Sequence, residues 1–273
     1  RGAIRSARTV FRLMRPFRVL VLAAITAAIA FAFVTRPHLP AAERGRRLAE
    51  THGCFTCHGA GGLKGTMNPG RTDKTVPDFR GDLMMYADDA ADVREWILDG
   101  ATARKRASKS WQDARAAGAL KMPAYRGSLS EPQVDALVAY VMAVSESPEP
   151  ADSLALAGRE RAKALGCNSC HGLGGRLAPP NPGSFKGYVP SWDGDDLPEL
   201  VGNQTEFGEW VRHGVSERFK ADPVARFFLD RSRLHMPAYE RHLAEGDLEA
   251  LWAYVQWLRS PAARPDSAAV TSF

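Results

Sequence analysis

The sequence predicts an all-α protein: an N-terminal transmembrane helix followed by two tandem copies of one small helical domain. Three observations predict it. An apolar run, residues 17–34, follows a stretch with five arginines and no acid, and a sixth arginine, Arg18, lies at its start. A set of landmarks recurs along the rest of the chain at a nearly constant offset. Apolar residues outside the first run fall at helical spacing, and strand signals are weak.

The first element is the run FRVLVLAAITAAIAFAFV at 17–34. Its length is close to that needed to cross a bilayer as a helix. A buried core helix and a cleaved signal peptide are the other uses of such a run. Apolar residues on every face and the arginine flank favour a retained transmembrane anchor at 17–34. The arm before it, residues 1–16, carries Arg1, Arg5, Arg8, Arg12 and Arg15, and Arg18 follows just inside the apolar run. Their spacing makes one stripe on a helix, which suits either an interfacial helix on anionic headgroups or a solvated basic tail. By the positive-inside rule this arm is cytoplasmic. Everything after Arg36 then lies across the membrane, which places the rest in the periplasm of a bacterium, tethered to the inner membrane by a single pass.

Charge excludes one class of function. The chain has 36 Lys and Arg against 31 Asp and Glu. Setting aside the six N-terminal arginines leaves 30 against 31, so the folded part is near neutral. Nucleic-acid binding needs basic residues spread over a folded surface, and no nucleic-acid partner is expected.

The repeat defines the next elements. Cys54-Phe55-Thr56-Cys57-His58 returns as Cys167-Asn168-Ser169-Cys170-His171. Asn68-Pro69-Gly70 returns as Asn181-Pro182-Gly183, and Val76-Pro77 as Val189-Pro190. After one inserted residue the register continues: Glu95-Trp96 with Glu209-Trp210, Gly100 with Gly214, Met122-Pro123-Ala124-Tyr125 with Met236-Pro237-Ala238-Tyr239, and Ala139-Tyr140-Val141 with Ala253-Tyr254-Val255. The two domains are placed at 41–146 and 153–260, joined by the polar, proline-containing SESPEPADS, with a tail at 261–273. Each copy reads as a short helix before the cysteines, a Gly/Pro-rich loop, a helix (88–98, 206–213), a long loop to Met-Pro-Ala-Tyr, and a final amphipathic helix. Loops this long need something central to pack around.

The four cysteines of the chain all lie in the two Cys-x-x-Cys-His clusters. This is the attachment signature of c-type haem. Two thiols on one helical turn each bond a vinyl group, and the following histidine points its imidazole at the iron. A four-cysteine zinc site would want its pairs closer in sequence. A redox dithiol would want βαβ surroundings, and simple disulfides leave both histidines unexplained. Two covalently bound haem c groups, each with its iron, are therefore expected. For the second axial ligand the second copy offers one methionine, Met236, and its repeat partner is Met122. The expected iron ligands are His58 with Met122 and His171 with Met236. Met67, Met84, Met85 and His235 are the competitors, none matched by a like residue in the other copy. Leu63, Phe79, Trp96, Tyr125, Leu137 and Leu177, Trp192, Trp210, Tyr239, Leu251 are candidates for packing against the haems. Thioether sulfur favours the ferrous state and raises the potential.

These residues resemble class I c-type cytochromes over both domains, and the plan is similar to membrane-anchored dihaem cytochromes, including dihaem subunits of respiratory complexes. The resemblance implies tandem cytochrome c-like domains that hold haem through Cys54, Cys57, His58 and Met122, and through Cys167, Cys170, His171 and Met236. It implies electron transfer rather than catalysis by the chain itself, beside a quinol-oxidising complex, terminal oxidase or reaction centre, with a soluble cytochrome as a further partner. No catalytic residue is expected. A dihaem peroxidase is the rival; it would need one iron that releases its distal ligand. The long spacing from His to Met departs from the pattern, and the basic insert at 103–118 before Met122 reads either as a docking surface or as a solvated loop.

Overall fold

Residues 19–30 and 38–263 are described by a computed structural model. The arm 1–16, both ends of the expected span, and most of the tail, from 264 onward, lie outside the described residues. Contacts divide the chain into a unit of residues 1–37 with 185–187, and a unit of residues 38–184 with 188–273. In the first unit, residues 19–30 form helix α1, with every residue exposed. No helix among the described residues is long and apolar enough to cross a membrane.

The larger unit is helical, with two isolated β-bridges and no strand among the described residues. Its elements run α2 (Ala41–Thr51), α3 (Cys54–His58), α4 (Leu83–Tyr86), α5 (Ala90–Asp99), α6 (Ala103–Ala107), α7 (Lys109–Ala117) and α8 (Glu131–Val144). Then come α9 (Ser153–Ala164), α10 (Asn168–His171), α11 (Leu197–Leu200), α12 (Gln204–His213), α13 (Glu217–Ala221), α14 (Pro223–Arg231) and α15 (Asp247–Arg259). Local chemistry sets the ends. Asp89 caps α5 by accepting from Asp92 N at 2.9 Å, and Asn203 caps α12 through Glu206 N at 2.9 Å. Both helices stop at a glycine in the left-handed region, Gly100 at φ 70° and Gly214 at φ 74°, where a side chain would be strained.

Two helix crossings frame the unit, α2 against α8 and α9 against α15. Each depends on a glycine. A Cβ on Gly45 would lie 1.8 Å from Ala136 O, and one on Gly158 would lie 1.9 Å from Ala250 O. The tyrosines at matched positions tie the crossings to the cysteine loops. Tyr140 Oη donates to Gly61 O at 2.9 Å and Tyr254 Oη to Gly174 O at 3.1 Å.

Helix α8 buries nine of its fourteen residues, because two sides are covered. One carries α2; against another lie Leu173 and Leu177, from the loop after His171, which join the core cluster of the first half. Burying Leu177 contributes about 1.5–3 kcal/mol, and the half-buried Leu173 less. Glu146 then links the halves: it pairs with Arg80 at 3.1 Å and with Lys163.

The insert 103–118 is not the solvated loop that one reading expected. It forms α6 and α7, with a counterpart in α13 and α14. Thr102 and Ser216 cap the first helix of each pair. Most of its cations are matched: Arg104 with Asp88 at 2.9 Å and Asp92 at 3.5 Å, Arg106 with Asp99 at 3.5 Å, and Lys109 with Asp113. The helical spacing was obscured because the segment is rich in small and charged residues and lacks an apolar stripe.

Candidate cofactor site

The site begins with helix α3. Gly53 at φ 72° and Gly59 at φ 76° bound a single turn, so Cys54 and Cys57, three residues apart, share one face of the helix. No disulfide joins any of the four cysteines. Burial pushes the Cys54 thiol above its ordinary range, and pushes Cys167 up to about 11. Burial thus disfavours the thiolate form of Cys54 and Cys167.

The histidines are oriented by carbonyls. His58 Nδ1 lies 2.8 Å from Pro77 O, and His171 Nδ1 lies 2.8 Å from Pro190 O. A carbonyl only accepts, so Nδ1 carries the proton and Nε2 keeps its lone pair. Burial holds both imidazoles below the usual range, outweighing the carbonyl's preference for the charged form. Both rings are thus neutral ligands in waiting. An aromatic ring packs on each: Phe79 at 4.6 Å from His58 and Trp192 at 5.0 Å from His171. Gly62 and Gly175 make room for those rings; a Cβ on either would lie 2.1 or 2.0 Å from the aromatic carbon.

The methionine loops are fixed the same way in both halves. Asn68 and Asn181 are buried. Asn68 Nδ2 donates to Leu120 O at 3.0 Å and its Oδ1 accepts from Leu120 N at 2.8 Å. Asn181 does the same with Leu234, at 3.0 and 2.9 Å. Two residues on come Met122 and Met236. Tyr125 N then donates to Ile97 O at 3.1 Å, and Tyr239 N to Val211 O at 3.0 Å.

In the first half one cavity is lined by Cys54, Cys57, His58 and Met122, all four residues singled out in the sequence. Phe79, Trp96, Tyr125 and Leu137 also line it. In the second half Cys167, Met236 and Tyr239 pack against one core cluster containing Trp192 and Leu251, and Cys170 and His171 share helix α10 or its cap with Cys167. The chemistry of the donor set fits a c-type haem. It offers two thiols on one turn, a neutral imidazole with a free Nε2, a thioether on the same cavity, and an apolar wall. Among the described residues, no cluster of three or more His, Cys, Asp or Glu is placed to hold a metal ion, as a zinc site would require.

Other expectations fall differently. Leu63 is 43% exposed and does not line the cavity, and Leu177 packs on the first half's core. The two are not repeat partners: the residue matching Leu63 is Arg176. His235 is exposed, and its Nε2 meets Leu229 O at 2.9 Å. Met67 and Met85 are each 64% exposed. His52 also lines the first cavity and meets Tyr125 edge-on at 6.4 Å. Sequence reasoning missed Asn68, Asn181 and the two proline carbonyls, although all four stand in the repeated landmarks. It also missed Trp111 and Arg115 of α7, which line the first cavity.

Residues 42–145 match the family described as Cytochrome c. Neither the comparison with curated proteins nor that with solved structures gives a match. The chain thus carries a cytochrome c domain in its first half.

Proposed function

We propose that the chain is a membrane-anchored dihaem cytochrome c that passes electrons between redox partners, as a subunit of a respiratory or photosynthetic complex. The observation that carries this reading is the recurrence, in both halves, of a Cys-x-x-Cys-His turn oriented by a proline carbonyl together with a methionine loop pinned by a buried asparagine. The family match over 42–145 supports it for the first half; the repeated contacts extend it to the second.

In this reading Cys54 and Cys57 hold one haem c by thioether bonds and Cys167 and Cys170 hold the other. His58 with Met122, and His171 with Met236, would be the iron ligands. When bound, the group would supply one-electron exchange at its iron. The protein's part is positional. Pro77 and Pro190 keep the proton on Nδ1 and aim Nε2. Asn68 and Asn181 hold the Met loops so that little moves when the charge changes. The apolar wall excludes water and lowers the dielectric.

The exposed apolar side chains of α1 support an anchor at 17–34. The six arginines before and at its start place the N-terminus in the cytoplasm and both haem domains in the periplasm, facing a quinol-oxidising complex, an oxidase or a reaction centre. Purification in mild detergent tests both halves of the proposal. Covalent haem absorption in the membrane fraction, with low-spin signals for both irons, is expected. A high-spin resting haem with peroxide turnover would replace this reading by a peroxidase.

A further inference from the structure

The two halves differ sharply beside the packed histidine. In the second half Asp193 follows Trp192, whose ring lies 5.0 Å from that of His171. Asp193 Oδ1 is buried and makes no hydrogen bond. Two guanidiniums flank it, yet both donate to backbone carbonyls: Arg176 to Ala263 O at 2.8 Å, and Arg259 to Gly194 O at 2.8 Å and Trp192 O at 3.3 Å. Arg176 is 7% exposed and lies over the Trp257 ring. Ser191 and the buried phenol of Tyr254 complete the surroundings. The first half has nothing comparable. The matching positions are Leu63 for Arg176, Asp78 for Ser191 and Arg80 for Asp193, and Arg80 is paired with Glu146 at 3.1 Å.

A buried carboxylate oxygen without a partner calls for a physical reason. Burial raises the affinity of Asp193 for a proton; Arg176, then the Ser191 hydroxyl, its own backbone amide and Arg259 counteract only part of that. A further negative charge nearby raises that affinity again. A unit charge at about 10 Å in a medium of effective dielectric about 20 changes proton affinity on the order of tenfold.

Building on the dihaem reading, we propose that Asp193 is a redox-linked proton-binding site of the second half. When the second site takes one electron from a one-electron donor, the Asp193 carboxylate takes one proton from water. When the electron leaves, the proton returns. Charge near His171 is then balanced, and electron transfer through this half is coupled to proton uptake while the first half is not.

The sign follows from linkage. The reduced form binds the proton more tightly, so the second potential falls as pH rises between the two proton affinities and is flat outside that window. A tenfold difference in proton affinity corresponds to a total fall of about 59 mV for a one-electron couple. The test is a spectroelectrochemical titration of the detergent-solubilised full chain over a pH series, for the native protein and for Asp193→Asn. One of the two native potentials is expected to fall with pH and the other to stay constant; in the variant both are constant. Two pH-independent native potentials, or a slope that survives Asp193→Asn, would overturn the proposal. One haem per chain, counted from the absorbance of the same sample, would instead sink the dihaem reading on which it rests. If the variant fails to fold, reduced-minus-oxidised infrared spectra of the native chain decide. A protonated-carboxyl band from labelled aspartate must appear on reduction, and its absence refutes the site.

Discussion

Asn68 and Leu120 form a closed pair: the side-chain amide donates to the leucine carbonyl at 3.0 Å and accepts from its amide at 2.8 Å. The asparagine replaces a missing strand neighbour and leaves no backbone group of Leu120 unpaired. Because Met122 lies two residues on, the pair fixes where its loop leaves the core. Asn68→Ala leaves the Leu120 N–H and C=O without their protein partner, and because Leu120 is 38% exposed the cost is about 0.5–1.5 kcal/mol for each lost bond. The expected outcome is a lower denaturation midpoint together with partial loss of the Met-ligated haem signal in the first half only. Loss of stability with an unchanged ligand signal would show that Asn68 does not position the methionine.

Helix propensity and packing make opposite predictions at Gly45. In an exposed helix, alanine is better than glycine by about 1 kcal/mol. Here the new Cβ would meet Ala136 O at 1.8 Å, and overpacking of this kind costs about 1–3 kcal/mol or more. Gly45→Ala is expected to lower the unfolding midpoint, and Gly158→Ala to do the same in the second half. A rise in either midpoint would mean that the crossing is looser than the structure implies.

Met236→His exchanges a thioether for an imidazole while leaving Cys167, Cys170 and His171 in place. Covalent haem is retained and the second potential falls, since imidazole favours the ferric state more than thioether does. An unchanged redox titration would remove Met236 from the ligand set.

Asp78 offers a pH-dependent check on the first half. Burial raises its proton affinity, but donation from the backbone amides of Arg80 at 2.8 Å, Gly81 at 2.7 Å and Asp82 at 3.2 Å outweighs it, so the carboxyl sits below the usual range. A group depressed on folding contributes stability above its unfolded pKa, about 3.9, and loses that contribution as pH falls through the folded value. The stability gap between the native chain and Asp78→Asn is therefore expected to be constant near neutral pH and to close in acid. A gap that widens in acid would contradict the assignment.

Much of this was legible in the sequence because duplication checks itself. The cysteine clusters, the two Met-Pro-Ala-Tyr segments and the terminal helices recur in register, and the structure gives matched contacts at these positions. The roles of Asn68 and Asn181 were not legible, because each acts on a backbone group more than fifty residues away. Periodicity carries no trace of such a bond. Leu63 and Leu177 were grouped by residue type, and the matched position, Arg176, was passed over. Helices α6 and α7 went unread because they are held by caps and ion pairs more than by an apolar face. Asp193 was invisible as a site, since an aspartate in a Gly/Asp-rich loop reads as solvated.

The central claim is that both halves carry a covalent haem. Intact mass measurement of the purified, denatured chain tests it directly, since thioether-bound haem stays attached when the fold is lost. The expected mass exceeds that of the polypeptide by two haem groups, falling to one when Cys167 and Cys170 are both replaced by alanine. A native mass carrying one haem, or none, would contradict the account.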